Sequence, residues 1–179
     1  LFLTGIPIII IGIIDDIIDL PPYPKLVVQI ICAVLFAISG NLLSLFIPIS
    51  TIKWILTIGW IVAITNAFNM LDNMDGLSAG VAAIAAFFFF MVFSKQEQPQ
   101  YAYFCLILSL SVLGFLPYNF YPSRIFMGDT GSLFLGYNLA GISVIGSYTK
   151  FSRLTHLPVI IPIIILSVPI FDLISVVYI

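Results

Sequence analysis

Residues 66–93 read NAFNMLDNMDGLSAGVAAIAAFFFFMVF, and two properties of that stretch decide the fold. From Leu77 to Phe93 there is no charged side chain and a single hydroxyl, at Ser78. That is close to the length a helix needs to cross a bilayer, about 20 apolar residues. Immediately before it, Asn66, Asn69, Asp72, Asn73 and Asp75 crowd toward Gly76. Polar and ionisable groups at a membrane boundary are costly to bury and usually functional.

Outward from this stretch the same alternation repeats. Apolar runs predict helices over Leu1–Asp16, Leu26–Ser39 (after the Pro21-Pro22-Tyr23-Pro24 break), Ile52–Leu71, Leu77–Phe93, Tyr101–Tyr118, Ser132–Tyr148 and Pro158–Ile179. Pro162 and Pro169 predict a kink in the last. The expected architecture is therefore an all-α integral membrane protein, a polytopic bundle of about seven transmembrane helices in one membrane domain, 1–179. Composition agrees. The chain is 61% hydrophobic and 8% charged, with mean hydropathy +1.22, more apolar surface than a soluble domain of this size can hide. Its six scattered Lys and Arg residues exclude nucleic acid as a partner. Cys32 and Cys105 sit inside apolar runs and read as small packing residues. The run Phe87–Phe90 reads as lipid-facing bulk. Beginning on Leu1 and stopping on Ile179 inside apolar runs, the chain reads as a piece of a longer protein.

Counting crossings returns Asp15, Asp16, Asp19, Asp72, Asp75, Asp129 and Asp172 to one face and sends Glu97 to the other. Lys25 and Arg124 join the aspartates, whereas Lys53, Lys95, Lys150 and Arg153 lie opposite, so a positive-inside count alone puts the aspartate face outside. His156 falls in a far-face loop. Three clusters populate the aspartate face. Asp15, Asp16 and Asp19 end a helix whose dipole already carries negative charge there. The arrangement calls for a cation, a diphosphate or a proton path, or is simply an acidic turn before prolines. Asn66, Asn69, Asp72 and Asp75 close another helix, and as a purely structural cap they would be hard to satisfy. Around Phe126, residues Gly128, Asp129, Thr130, Gly131 and Ser132 can aim backbone N–H groups at an anion, with Ser132 opening the sixth helix. Asp129 is placed to hold a metal against phosphate oxygens.

Together these segments resemble the polyprenyl-phosphate N-acetylhexosamine-1-phosphate transferases of glycosyltransferase family 4. The carriers are Asp15-Asp16-Ile17-Ile18-Asp19, Asn66-x-x-Asn69-x-x-Asp72-x-x-Asp75-Gly76-Leu77, Phe126-Met127-Gly128-Asp129-Thr130-Gly131-Ser132 and Pro169-Ile170-Phe171-Asp172. Asp19 is similar to the WecA/TagO-like branch, since the peptidoglycan-precursor branch usually has lysine there. Asn73 stands where the family commonly has glycine. The resemblance implies further helices before Leu1 and a His-containing loop and helices after the last one seen here.

It also implies a reaction: a sugar 1-phosphate moves from a UDP-sugar to undecaprenyl phosphate, releasing UMP, with Mg²⁺ (or Mn²⁺) as cofactor. Asp15, Asp16 and Asp129 become the expected catalytic residues. Asp129, Asp16 and Asp19 are the expected metal residues. Asn66, Asn69, Asp72, Asp75 and Phe126 are expected at the nucleotide-sugar, and Gly128, Thr130, Gly131 and Ser132 at phosphate. Asp172 is left between a functional and a structural role. Partners would be the UDP-sugar, the polyprenyl phosphate and the bilayer, with a homodimer left open. The site would sit on the cytoplasmic face of a bacterial inner membrane, against the charge count. An intramembrane prenyltransferase would also use Asp15-Asp16-x-x-Asp19 but leaves the other clusters unexplained. A cation or proton transporter would place acids along a path between faces, whereas these gather at one end.

Overall fold

The structure, a computed structural model, describes residues 2–43, 49–146 and 157–178. Lys150, Arg153 and His156 therefore lie outside the described residues. Those described are helical, with turns and no strand. The elements are α1 (Phe2–Ile18), α2 (Pro22–Ile38), α3 (Ser50–Leu71), α4 (Leu77–Lys95), α5 (Pro99–Asn119), α6 (Gly128–Ile145), α7 (Leu157–Ile165) and α8 (Ser167–Tyr178). Of these, α3, α4 and α5 are each long and apolar enough to cross a membrane on their own.

Three expected boundaries move, each for a physical reason. Helix α2 starts at Pro22, inside the supposed break. Proline suits the first helical turn, where its missing N–H has no partner to lose. Helix α6 starts at Gly128 rather than Ser132, so Asp129 and Thr130 lie in its first turn instead of a loop. The single last helix divides at Leu166 into α7 and α8, because Pro169 has no N–H to offer the Ile165 carbonyl one turn back. The Phe87–Phe90 run is also split. Phe87 and Phe88 are exposed, whereas Phe89 is fully buried and stacks on Phe93 at 5.9 Å.

Helix α6 is the axis of the bundle. From Ser132 to Val144 nearly every residue is buried, as expected of a helix packed on all sides. It packs against α1 and α3, while α4 and α5 form a hairpin beside it. Small residues permit the closest approaches, the usual device between apolar helices. A Cβ on Gly12 of α1 would lie 2.5 Å from Thr130 Cα, and one on Gly136 would lie 2.8 Å from Thr65 Cα. Buried polar stitches fix the register: Tyr137 donates to Thr4 Oγ1 at 2.7 Å, and Trp60 to Ser143 Oγ at 2.8 Å. Apolar side chains such as Ile107, Leu110 and Ile164 stand exposed around the outside, as a lipid-facing surface requires. Cys32 and Cys105 are both buried and free. The order of elements brings the ends of α1 and α3 and the starts of α2, α4 and α6 to one end of the bundle. Glu97, in the α4–α5 turn, is at the other.

Candidate active site

Three carboxylates at the end of α1 oppose that helix's own dipole. The chain relieves two of them from other helices. Asp16 reaches the start of α6, accepting from the Asp129 N–H at 2.7 Å, the Thr130 N–H at 3.2 Å and the Thr130 hydroxyl at 2.6 Å. Met127, the residue at the α6 N-cap, supplies no side-chain bond of its own. Asp16 is thus the cap, donated across the bundle to the positions a capping oxygen normally serves. Gly128 has φ +66, and a Cβ there would lie 2.7 Å from an Asp16 oxygen. Only glycine allows both the turn and the carboxylate.

Asp15 is buried. Its Oδ1 accepts from the Leu20 N–H at 2.8 Å, and its Oδ2 from Lys25 Nζ at 2.9 Å. The same ammonium lies 2.7 Å from Asp129 Oδ2. The other Asp129 oxygen takes the Asn69 amide at 3.0 Å, and that amide also donates to Ser132 Oγ at 3.0 Å. One polar centre thereby joins α1, α2, α3 and α6.

The remaining expected residues divide. Asn66 exchanges amide bonds with the buried Gln29, donating to its Oε1 at 2.5 Å and accepting at 3.4 Å, so it ties α3 to α2 beside the centre. Asp72 follows the end of α3, half-buried, and receives no hydrogen bond from any described residue. Burial, then the charges of Asp129, Asp16 and Asp75, push its carboxyl up to about 6. Asp75 accepts from the Ser123 N–H at 3.1 Å and so holds the loop between α5 and α6. Phe126 is 76% exposed at the rim of an apolar cavity of about 270 Å³ shared with Met127, Phe134 and Phe115. Gly131 packs against the Met127 side chain. Asp19 is exposed with φ +46, and no hydrogen bond or ion pair from a described residue reaches it. Asp172, half-buried on α8, likewise has none to the cluster among the described residues.

Three participants were not singled out by sequence reasoning: Lys25, Gln29 and Asn119. Asn119 is buried, accepts from the Gly76 N–H at 3.2 Å and donates to the Ile125 carbonyl at 3.0 Å. Lys25 carried a readable signal. A lone lysine in the first turn of an apolar helix opposes the dipole, so an acid must stand near it.

An Mg²⁺ ion suits this donor set in one respect. Mg²⁺ is commonly held by one or two carboxylates plus substrate phosphates, not by an all-protein cage. Among the described residues no three His, Cys, Asp or Glu side chains converge as a metal cage. Asp72 nevertheless lacks a compensating partner beside Asp129, which is the deficit a cation relieves.

The sequence profile of Glycosyl transferase family 4 matches residues 1–147. A Bacillus subtilis protein named probable undecaprenyl-phosphate N-acetylglucosaminyl 1-phosphate transferase is 40% identical over 173 residues, 92% of this chain and 48% of that protein. The phospho-N-acetylmuramoyl-pentapeptide-transferase of Staphylococcus epidermidis is 35% identical over 157 residues, 75% of this chain and 49% of its own. The protein of that name in Clostridium acetobutylicum is 41% identical over 108 residues, 56% of this chain and 34% of its own. The chain spans about half the length of the first two. With the profile covering most of its residues, the chain belongs to glycosyl transferase family 4.

Proposed function

We propose that this chain is the catalytic part of a membrane enzyme that transfers a sugar 1-phosphate from a UDP-sugar to undecaprenyl or a related polyprenyl phosphate, releasing UMP. The reaction would initiate cell-wall or surface polysaccharide synthesis. N-acetylglucosamine 1-phosphate is the favoured group, from the name of the B. subtilis relative. The observation that carries the reading is the Asp15–Lys25–Asp129–Asn69 centre at the amino end of the buried α6. A polar centre at one end of an apolar bundle is where a lipid-borne phosphate meets a water-borne nucleotide. In this reading the helices form about seven passes through a bacterial inner membrane, with the centre on the cytoplasmic side.

Asp129 and Asp72 would hold Mg²⁺, which when bound neutralises and orients phosphate oxygens. Asp16 and Asp19 would add to the negative field without direct ligation. The lipid phosphate is already a nucleophile, so the protein's work is positioning and charge neutralisation. Asp15, against Lys25, would hold that phosphate and take its residual proton. An Asp15→Asn enzyme is then expected to lose rate chiefly below the second phosphate pKa of about 6, where more lipid phosphate is protonated. A pH–rate profile of the full-length variant checks this, and a uniform loss across pH would assign Asp15 a positioning role alone.

Asn69, Asp72 and Asp75 would wall the uridine pocket, with Phe126 over the base. Base stacking on an aromatic ring is worth roughly 1–3 kcal/mol. Phe126→Ala should therefore weaken UDP-sugar binding at least about fivefold and leave the apparent affinity for polyprenyl phosphate unchanged. Equal weakening of both substrates would make the ring a support for the fold. The reaction itself is tested by exchange of radiolabelled UMP into UDP-N-acetylglucosamine by the full-length enzyme in the presence of lipid-linked product. Absence of label in the nucleotide sugar would refute the assignment.

A further inference from the structure

Lys25 is the one cation at the centre among the described residues, and its side chain is only 20% exposed. Its ammonium bridges two carboxylates from two other helices, 2.9 Å from Asp15 and 2.7 Å from Asp129. The second oxygen of each is also engaged, on Asp15 by the Leu20 N–H and on Asp129 by Asn69. A divalent cation approaching Asp129 must therefore displace or share one of two partners. Asn69 is short and also bonded to Ser132. Lys25 carries its charge on a flexible four-carbon stem, so it is the partner that can leave.

We propose that Lys25 is the resident counter-ion of the centre and exchanges with the divalent cation. Without the cation it holds Asp15 and Asp129 together. When the cation arrives, Lys25 releases Asp129, and its ammonium is freed toward Asp15 and the incoming phosphate. The inference rests on the divalent-cation reading above and deepens it. Lys25 is on this account a positioning residue whose charge sets how tightly the cation is held. A single and a double positive charge about 5 Å apart repel enough, even with water-like screening, to change cation affinity roughly tenfold or more.

The test is a titration of Mn²⁺ into the detergent-solubilised full-length protein, with free Mn²⁺ followed by electron paramagnetic resonance. Wild type, Asp129→Asn, Lys25→Met and Lys25→Arg are compared without substrate. Lys25→Met is expected to bind Mn²⁺ about tenfold or more tightly than wild type while losing turnover, and Lys25→Arg, which keeps the charge, to stay near wild type. A merely structural lysine gives the opposite sign, because loosening α1, α2 and α6 weakens the site. Unchanged or weaker binding by folded Lys25→Met overturns the proposal while leaving the cation reading intact. Absence of Asp129-dependent Mn²⁺ binding in wild type overturns both. Reductive methylation of Lys25 in the wild-type protein, read by mass spectrometry, gives a second measurement that does not depend on a variant folding. Its rate should rise when Mn²⁺ is added, and an unchanged rate also overturns the exchange.

Discussion

Replacing Asp129 with asparagine is expected to lower turnover of the full-length enzyme at least about 100-fold, the scale of removing one main electrostatic stabiliser. The substitution is nearly isosteric, so packing of the α6 first turn and its bonds to Asp16 should survive. What disappears is the charge at the point where Lys25 and Asn69 meet. The measurement is kcat at saturating UDP-sugar, polyprenyl phosphate and Mg²⁺, with KM for the UDP-sugar determined in parallel. A fall in kcat with little change in KM marks an interaction realised during transfer rather than in binding. Turnover near wild type at saturating Mg²⁺ would remove Asp129 from that role.

The second large effect is expected at a residue with no chemistry. An alanine Cβ at Gly12 would lie 2.5 Å from Thr130 Cα and 2.9 Å from Thr130 N. Both are backbone atoms, so no side chain can swing aside and α1 must move away from α6. The same Thr130 N–H donates to Asp16, so the displacement falls on the contact that orients Asp129. Misplacing a catalytic group by about 1 Å can cost about 100-fold in rate, and Gly12→Ala is expected to lose kcat on that scale. Gly59→Ala is the control, since a Cβ there meets no atom of the chain within 4 Å. Wild-type kcat in Gly12→Ala would show that α1 and α6 can separate without moving the site.

How much of this was legible follows from how local each cause is. The apolar runs and the gathering of aspartates at chain-reversal points are local, and they place most helix ends within a few residues. Asp75 and Asn69 could be named from their cluster, but not their partners. Asp75 takes the Ser123 N–H, and Asn69 bridges Asp129 and Ser132, pairings that depend on how α3 lies against α6. The early start of α6 was hidden for the same reason. Nothing near Gly128 caps it, and the cap arrives from Asp16 on α1. Along the chain Lys25 is one of a few scattered cations, and its pairing is invisible there because its two acids come from different helices. Gln29 stands alone in an apolar run of the sequence, and only the packing of α2 on α3 sets Asn66 opposite it.

The cap on α6 also orders events during synthesis. Asp16 and the Asp129 N–H it accepts are 113 residues apart, and a chain leaves the ribosome amino end first. Helix α1 must therefore enter the membrane long before the helix it caps has been translated. Through that interval Asp16 has no α6 N–H groups to accept, and Lys25 has Asp15 but not Asp129. A truncated or stalled chain ending before α6 would carry the acidic pair and the lysine yet hold no assembled centre. An assembled centre would therefore report a completed α6 rather than mere presence of the chain.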